Sequence, residues 1–394
     1  MPGVPLGTGH PQPVPHQFPS PVNLRAAYDW IERSRSPRTG GARAFYTPLR
    51  GWSRTYPQVT GCLIPTIIRS GKLLGDEGSE RLARTFGEFL LEIQHPQGAW
   101  HAGMWPPQAD APLCAFGTAQ IIQGFCALHR QTNESQWIDA ALRAARWLME
   151  SLGDDGFFVQ GASWGDGAAT YQTQVAWPML ELSSIAGERR LRDAAIRILH
   201  AALSRRTVLG AFTNWGFKGS DGAFTHTIGF VLRGFLESAR LLGDWPNYGK
   251  PLLVALRRLA DDALSTRGRL PGAYDCSWHC EKSYTCLTGN AQIAVCLLSA
   301  NRYAPNDRFP RAARKLIEEI CRRQLPHNHP IDGLRGAIPG SYPIWGRYLP
   351  GRYPVWAAKY LCDAIIAISA DDYASFFNFA KAPATAPMVA FTAT

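Results

Sequence analysis

Two residues able to move protons stand at matching places in successive segments of this chain: His226 in Thr225-His226-Thr227, and Tyr284 in Ser283-Tyr284-Thr285. Each opens a run with helical apolar periodicity, which puts it in a first helical turn. A neutral imidazole is favoured there by the helix dipole and can serve as a base or hydrogen-bond donor; a structural histidine is the alternative. Lys282 precedes Tyr284 by two positions, and a nearby cation lowers a phenol's pKa. A tyrosine bridging the core by its hydroxyl is the other reading. Arg233 lies two turns into the segment of His226, as a carboxylate clamp or as half of a buried ion pair. Together these residues suit removal of a proton next to a carboxylate, with His226 and Tyr284 as the proton-transfer pair and Arg233 and Lys282 holding the anion.

Other segment starts are also polar or aromatic: Tyr56, Thr118, Tyr171 with Gln172 and Gln174, Thr288 with Asn290, and Tyr353 with Trp356. Single hydroxyls of this kind are often helix caps. As a set they line helix N-termini, where unsatisfied N–H groups favour an anionic ligand. The run Asp275-Cys276-Ser277-Trp278-His279-Cys280-Glu281-Lys282 holds zinc-ligand types, but its spacing matches no zinc signature, so no metal is expected. Asp110, Asp166, Asp221, Asp275 and Asp332 fall in long connections, leaving a two-carboxylate glycosidase open. No phosphate loop, Ser-His-Asp signature or dinucleotide fingerprint is present, and no cofactor is expected.

The elements that must position these residues follow a repeat. Apolar periodicity marks inner segments near 57–74, 115–130, 170–187, 225–242, 284–301 and 353–370. Gly61, Gly117, Gly124, Gly229, Gly234 and Gly289 lie in them, a sign of close backbone packing. Amphipathic outer segments lie between, near 79–94, 135–152, 189–205, 247–265 and 307–323. A helix near 22–35 lacks an inner partner before it and the segment 353–370 an outer partner after it, so pairing the two closes a ring of twelve helices. Gly98-Ala99-Trp100, Gly156-Phe157-Phe158, Gly210-Ala211-Phe212 and Gly272-Ala273-Tyr274, with a degenerate Gly336-Ala337-Ile338, read as repeated structural joints. Inner-to-outer links are short and outer-to-inner links long, which places function on one face. The largest pocket is expected on that face, which carries Tyr171, His226, Tyr284 and Tyr342, rather than on the short-turn face.

The expected fold is therefore all-α, an (α/α)6 toroid over residues 22–370, with a flexible proline-rich lead at 1–21 and a flexible tail at 371–394. No apolar run reaches the ~20 residues of a membrane span, and the lead lacks a secretory apolar stretch, so a cytoplasmic location is expected. Nine cysteines fit reduced thiols. The net charge of +10 suggests an acidic partner. Much of it is arginine on one outer segment (Arg189, Arg190, Arg192, Arg197, Arg205, Arg206), a solvated face without nucleic-acid-binding signatures.

Gln94-His95-Pro96-Gln97-Gly98-Ala99-Trp100 resembles the QW repeat of terpene cyclases, although the acidic D-x-D-D motif of that family is absent. A longer resemblance is to toroids of bacterial polysaccharide biosynthesis and to the helical domains of uronate C5-epimerases and polysaccharide lyases. It rests on Tyr56-Pro57-Gln58-Val59-Thr60-Gly61, Phe116-Gly117-Thr118-Ala119-Gln120, Ser283 to Gln292, and Gly340-Ser341-Tyr342-Pro343-Ile344-Trp345-Gly346. Gln58 stands where relatives are expected to carry a carboxylate. The resemblance implies an enzyme on an acidic carbohydrate, a lyase or C5-epimerase. With the residues above, it gives as substrate-binding candidates Tyr56, Gln58, Tyr171, Gln174, Arg233, Lys282, Asn290, Tyr342, Trp345 and Arg352. An isoprenoid-handling toroid, which requires a deep apolar cavity, and a non-catalytic glycan- or protein-binding toroid are the alternatives.

Overall fold

In a computed structural model, residues 21–158, 169–217 and 220–369 are described. The lead up to residue 20, the tail and Asp166 lie outside them, and Pro21, expected to end the lead, instead opens the first helix. The helices are α1 (Pro21–Arg33), α2 (Pro57–Leu74), α3 (Ser79–Glu92), α4 (Ala115–Thr132), α5 (Ser135–Ser151), α6 (Thr173–Ala186), α7 (Arg189–Leu203), α8 (Thr225–Leu242), α9 (Trp245–Tyr248), α10 (Leu253–Ser265), α11 (Leu287–Asn301), α12 (Arg308–Arg323) and α13 (Val355–Ser369). Helix α2 packs on α4, α4 on α6, α6 on α8, α8 on α11, α11 on α13, and α13 back on α2. That closed circuit is the inner ring, and α1 packs on α13 to complete the outer one. The chain is an (α/α)6 toroid.

The division between rings follows from which faces are apolar. Helix α4 is buried continuously from Ala115 to Leu128 and α11 from Leu287 to Leu297, as expected of helices surrounded by protein. Helices α3, α7 and α12 bury one stripe and expose charge on the other. Arg189, Arg190 and Arg192 are exposed on α7, so this part of the positive charge faces solvent outside the ring. Inner helices approach closely at glycine: a Cβ on Gly61 would stand 2.6 Å from Ile121 Cα, and one on Gly124 2.6 Å from Gly61 O.

Adjacent hairpins are joined by one recurring device. Gly98 has φ +96°, and a Cβ there would lie 2.5 Å from Arg143 O on α5; only glycine meets both demands without strain. Gln94 Nε2 donates to Gly98 O at 2.7 Å and to Ala140 O at 2.9 Å, and Trp100 Nε1 donates to Leu90 O at 2.9 Å. The QW-like segment is thus a joint. Equivalent glycines meet the next outer helix at Gly156 (Arg197), Gly210 (Val254), Gly336 (Ala26) and, unforeseen, Gly40 (Thr85).

The fourth joint corrects the sequence reading: it is Gly268, against Lys315, and not Gly272. Gly272 instead leads into the strand Ala273–Tyr274, which pairs with Ala223–Phe224 and Cys280–Glu281. The outer segment expected at 247–265 is also broken. Pro246, Gly249 and Pro251 split it into α9, a 3-10 turn at Lys250–Leu252 and α10.

Long connections gather on the face that receives the inner-helix N-termini, and they are braced by short sheets. Phe45–Thr47 pairs with Gly51–Trp52 and Tyr353–Pro354, and Thr285–Cys286 pairs with Ser341–Tyr342. The first of these ties the connection before α2 to the start of α13.

Candidate active site

The inner helices converge on a cavity of about 330 Å³. Its walls come from the first turns of α2 (Tyr56 just before it, Gln58, Val59, Cys62), α4 (Phe116, Gln120), α8 (His226, Phe230) and α13 (Trp356, Tyr360), with Phe217, Tyr348 and Leu349 from the long loops. Thiols cap two of the inner helices: Cys114 Sγ accepts from Gly117 N at 3.2 Å and Cys286 Sγ from Gly289 N at 3.4 Å. All nine cysteines are free.

His226 is the one imidazole among the described lining residues. Its Nδ1 lies 2.6 Å from Gln292 Oε1. The amide oxygen can only accept, so Nδ1 carries the proton and Nε2 holds the lone pair. Nε2 has no hydrogen-bond partner among the described residues. Burial pushes the His226 pKa down to about 3; the Gln292 bond opposes this shift, and Lys359 adds to it. The ring is neutral at ordinary pH.

Phenols flank it. The Tyr348 ring centroid lies 5.2 Å away and that of Tyr360 6.0 Å away. Burial raises the pKa of both well above the usual phenol range, and that of Tyr56 likewise. Each stays protonated and can donate. Tyr348 Oη accepts from Trp356 Nε1 at 2.8 Å, and the Thr288 side chain is a second hydrogen-bonding neighbour of this phenol. Tyr56 Oη donates to Gln58 Oε1 at 3.2 Å.

The remaining wall is apolar, led by Phe116, Phe217, Phe230 and Leu349, and none of the described lining residues is ionisable to a carboxylate or carries a fixed cation. Charges sit one helical turn deeper. Asp363 accepts from Lys359 Nζ at 2.8 Å and Thr66 Oγ1 at 2.8 Å. Burial would raise the Asp363 pKa, but Lys359, Arg233 and Arg69 together hold it below the ordinary value. Arg233 is 2.8 Å from Glu237 and stacks 5.1 Å over Trp177. These groups form an ionic floor beneath the cavity.

The cavity therefore brings together four residues singled out in the sequence, His226, Tyr56, Gln58 and Trp356. Tyr284, Lys282 and Tyr342 line a separate hollow on the same loop face; the structure does not place Tyr284 in the cavity with His226. Tyr171 is buried edge-on to Phe116 and Phe217, at 5.7 and 5.9 Å, behind the cavity wall. The backbone carbonyl of Gln174 accepts from Gln120. Arg233 belongs to the ionic floor, and Asn290 Nδ2 donates to Gly268 O at 2.7 Å, securing a joint. Trp345 is 76% exposed, and Arg352 stacks 4.9 Å over Phe45. Two outer hollows, of about 480 and 500 Å³, exceed the cavity in volume.

Sequence reasoning missed Gln292, Tyr348 and Tyr360 as site residues. Gln292 lies in a segment that drew notice, facing Gly229 across the α8–α11 contact. Tyr348 ends the loop that carries Tyr342 and Trp345, and loop aromatics of this kind were its available signal. The carboxylates Asp110, Asp221, Asp275 and Asp332 are absent from the lining. Asp275 accepts from Ser277 N and His279 N and lies 2.9 Å from His279 Nδ1, a local turn. Among the described residues no group of three or more His, Cys, Asp or Glu is placed to hold a metal ion, and no helix is long and apolar enough to cross a membrane.

No protein-family model matches the chain, and a search of curated proteins returns no significant match. Solved structures do resemble it. An unsaturated glucuronyl hydrolase specific for heparin superposes with a TM-score of 0.69 at 12% identity, covering 89% of this chain and 96% of that one. The unsaturated glucuronyl hydrolase of Bacillus sp. GL1 gives 0.68 at 14% identity, covering 88% and 96%. Cellobiose 2-epimerase from Bacillus thermoamylovorans gives 0.69 at 10% identity, covering 88% and 98%. These are α/α-toroid enzymes, and at such identities the likeness is one of fold.

Proposed function

We propose that this toroid is a carbohydrate-active enzyme that moves a proton on a sugar held in the central cavity, with His226 as base and Tyr348 as the hydrogen-bond donor. The observation that carries this reading is the 2.6 Å contact of His226 Nδ1 with Gln292 Oε1, which assigns the ring proton to Nδ1 and leaves Nε2 to accept. Phenols that stay protonated flank it. In an epimerisation at a reducing-end sugar in its open-chain form, Nε2 would take the proton from the carbon next to the aldehyde and Tyr348 would hydrogen-bond the oxygen on which charge develops; the imidazolium would then return the proton to the opposite face of the intermediate after that face has rotated toward it, which inverts the centre. Aromatic walls suit the apolar faces of a sugar ring. The resemblance in fold to glucuronyl hydrolases and a cellobiose epimerase supports a carbohydrate substrate.

The geometry favours a neutral sugar unit in the cavity over the clamped uronate foreseen from sequence. Arg233 is committed to Glu237, and Lys282 lies outside. For a hydrolase, the described lining offers no carboxylate pair. The test is incubation with a panel of neutral and uronate oligosaccharides in deuterium oxide, following exchange at sugar carbons by NMR and unsaturated products by absorbance. Exchange that is lost in His226→Gln supports the proposal. Turnover that survives that substitution overturns it.

One observation favours a second reading, an isoprenoid ligand: Val59, Phe116, Phe217, Phe230 and Leu349 make much of the cavity apolar. Stabilisation of the protein by a farnesyl analogue, with no response to any sugar, would select it.

A further inference from the structure

We propose that the hollow beside Tyr284 is a second subsite, which takes an acidic residue of a longer sugar chain whose neighbouring unit enters the central cavity. This inference rests on the carbohydrate reading above and names where substrate charge is recognised. The hollow, of about 480 Å³, is lined by Arg269, Lys282, Tyr284 and Tyr342, with hydroxyls from Thr266 and Ser283. Arg269 and Lys282 are exposed, and neither has an acidic partner among the described residues. The carboxylate next to Lys282 in sequence, Glu281, is engaged elsewhere: it accepts from Ser283 N at 3.1 Å and faces Arg347 at 4.0 Å. Arg323, ion-paired with Glu319 at 3.0 Å and outside the lining, stacks 3.6 Å over the Tyr342 ring and holds it in place. The hollow therefore offers positive charge beside an aromatic ring and hydroxyl groups, and this is what an acidic sugar requires.

Its position ties it to the cavity. The strand Ser341–Tyr342 pairs with Thr285–Cys286, and the loop that follows runs through Trp345 to Tyr348 and Leu349 in the cavity wall. Tyr284 is the partition, with its ring lying against Gly272 and Gly346 and clustering with Tyr348. Trp345, 76% exposed, stands on this dividing loop. Exposing an indole to this degree leaves a large apolar face open, and a sugar bridging the two hollows can cover it.

The test is calorimetric titration of the full chain with an oligoglucuronate hexasaccharide and, separately, with cellohexaose. The acidic chain should bind at least about tenfold more tightly, the equivalent of one charge-assisted hydrogen bond, and the margin should shrink at high salt because the cations are exposed. The double variant Arg269→Gln/Lys282→Gln should lose that preference while keeping its affinity for cellohexaose, and Trp345→Ala should weaken both ligands. Equal binding of the two by the wild-type protein, or a preference that survives the double substitution, overturns the subsite alone. Failure of the carbohydrate reading is distinguishable: neither hexasaccharide would then bind the wild-type protein, and the subsite falls with it.

Discussion

Acidification should destabilise this protein through His226. The unfolded chain binds a proton on this imidazole near the ordinary value of 6.5, whereas burial holds the folded value at about 3. Between those values the unfolded state carries more protons, so stability rises with pH; the contribution is complete above about 6.5 and is lost as pH falls toward 3. Integrating the linkage relation from about pH 7 to about pH 5 gives a loss of about 2 kcal/mol from this one group. Urea unfolding of the wild type and of His226→Gln at both pH values isolates it, because all other titrating groups are shared. The variant should lose about 2 kcal/mol less than the wild type over that interval. A parallel decline of the two proteins would mean that the imidazole is solvated, and the neutral-base argument would fail with it.

Three further outcomes follow from the geometry. Gly98→Ala should cost more than about 2 kcal/mol in thermal or urea unfolding, since strain adds to a clash with α5; Gly75→Ala, also left-handed but with open space around it, should cost only about 1 kcal/mol. Lys359→Met removes the ion-pair partner of buried Asp363 and should cost about 3 kcal/mol, with part recovered when Asp363→Leu is added. On an authentic substrate, Tyr348→Phe should lower kcat by about 100-fold with little change in KM; an unchanged kcat would assign the phenol to packing.

The overall architecture was legible because it depends on local regularities that repeat. Inner segments read from apolar periodicity, such as 57–74 and 225–242, coincide with α2 and α8, because a helix buried on all sides has little room for polar residues. Ring closure was legible from the unmatched helix at each end. The joints at Gly98, Gly156, Gly210 and Gly336 were readable because each glycine is followed, two residues on, by an aromatic or, at Ile338, a large apolar residue. Gly268 is followed by Arg269 and Leu270, and Gly40 by Gly41 and Ala42, so neither carries the aromatic, although the first contacts the next outer helix as Gly98 does and the second approaches it.

The site was less legible, because spacing along one helix says nothing about which loop folds over its end. Sequence alone determined that His226 begins an inner helix and that its neighbours at helix ends are polar or aromatic. Only the tertiary structure decided that Gln292, from the adjacent α11, fixes its tautomer. It also placed Tyr348 beside the imidazole and left Tyr284 behind a partition. Tyr284 and Tyr348 lie on either side of a short strand pairing, Thr285–Cys286 with Ser341–Tyr342, and it is this long-range register, set by the closure of the ring, that selects which phenol reaches the cavity.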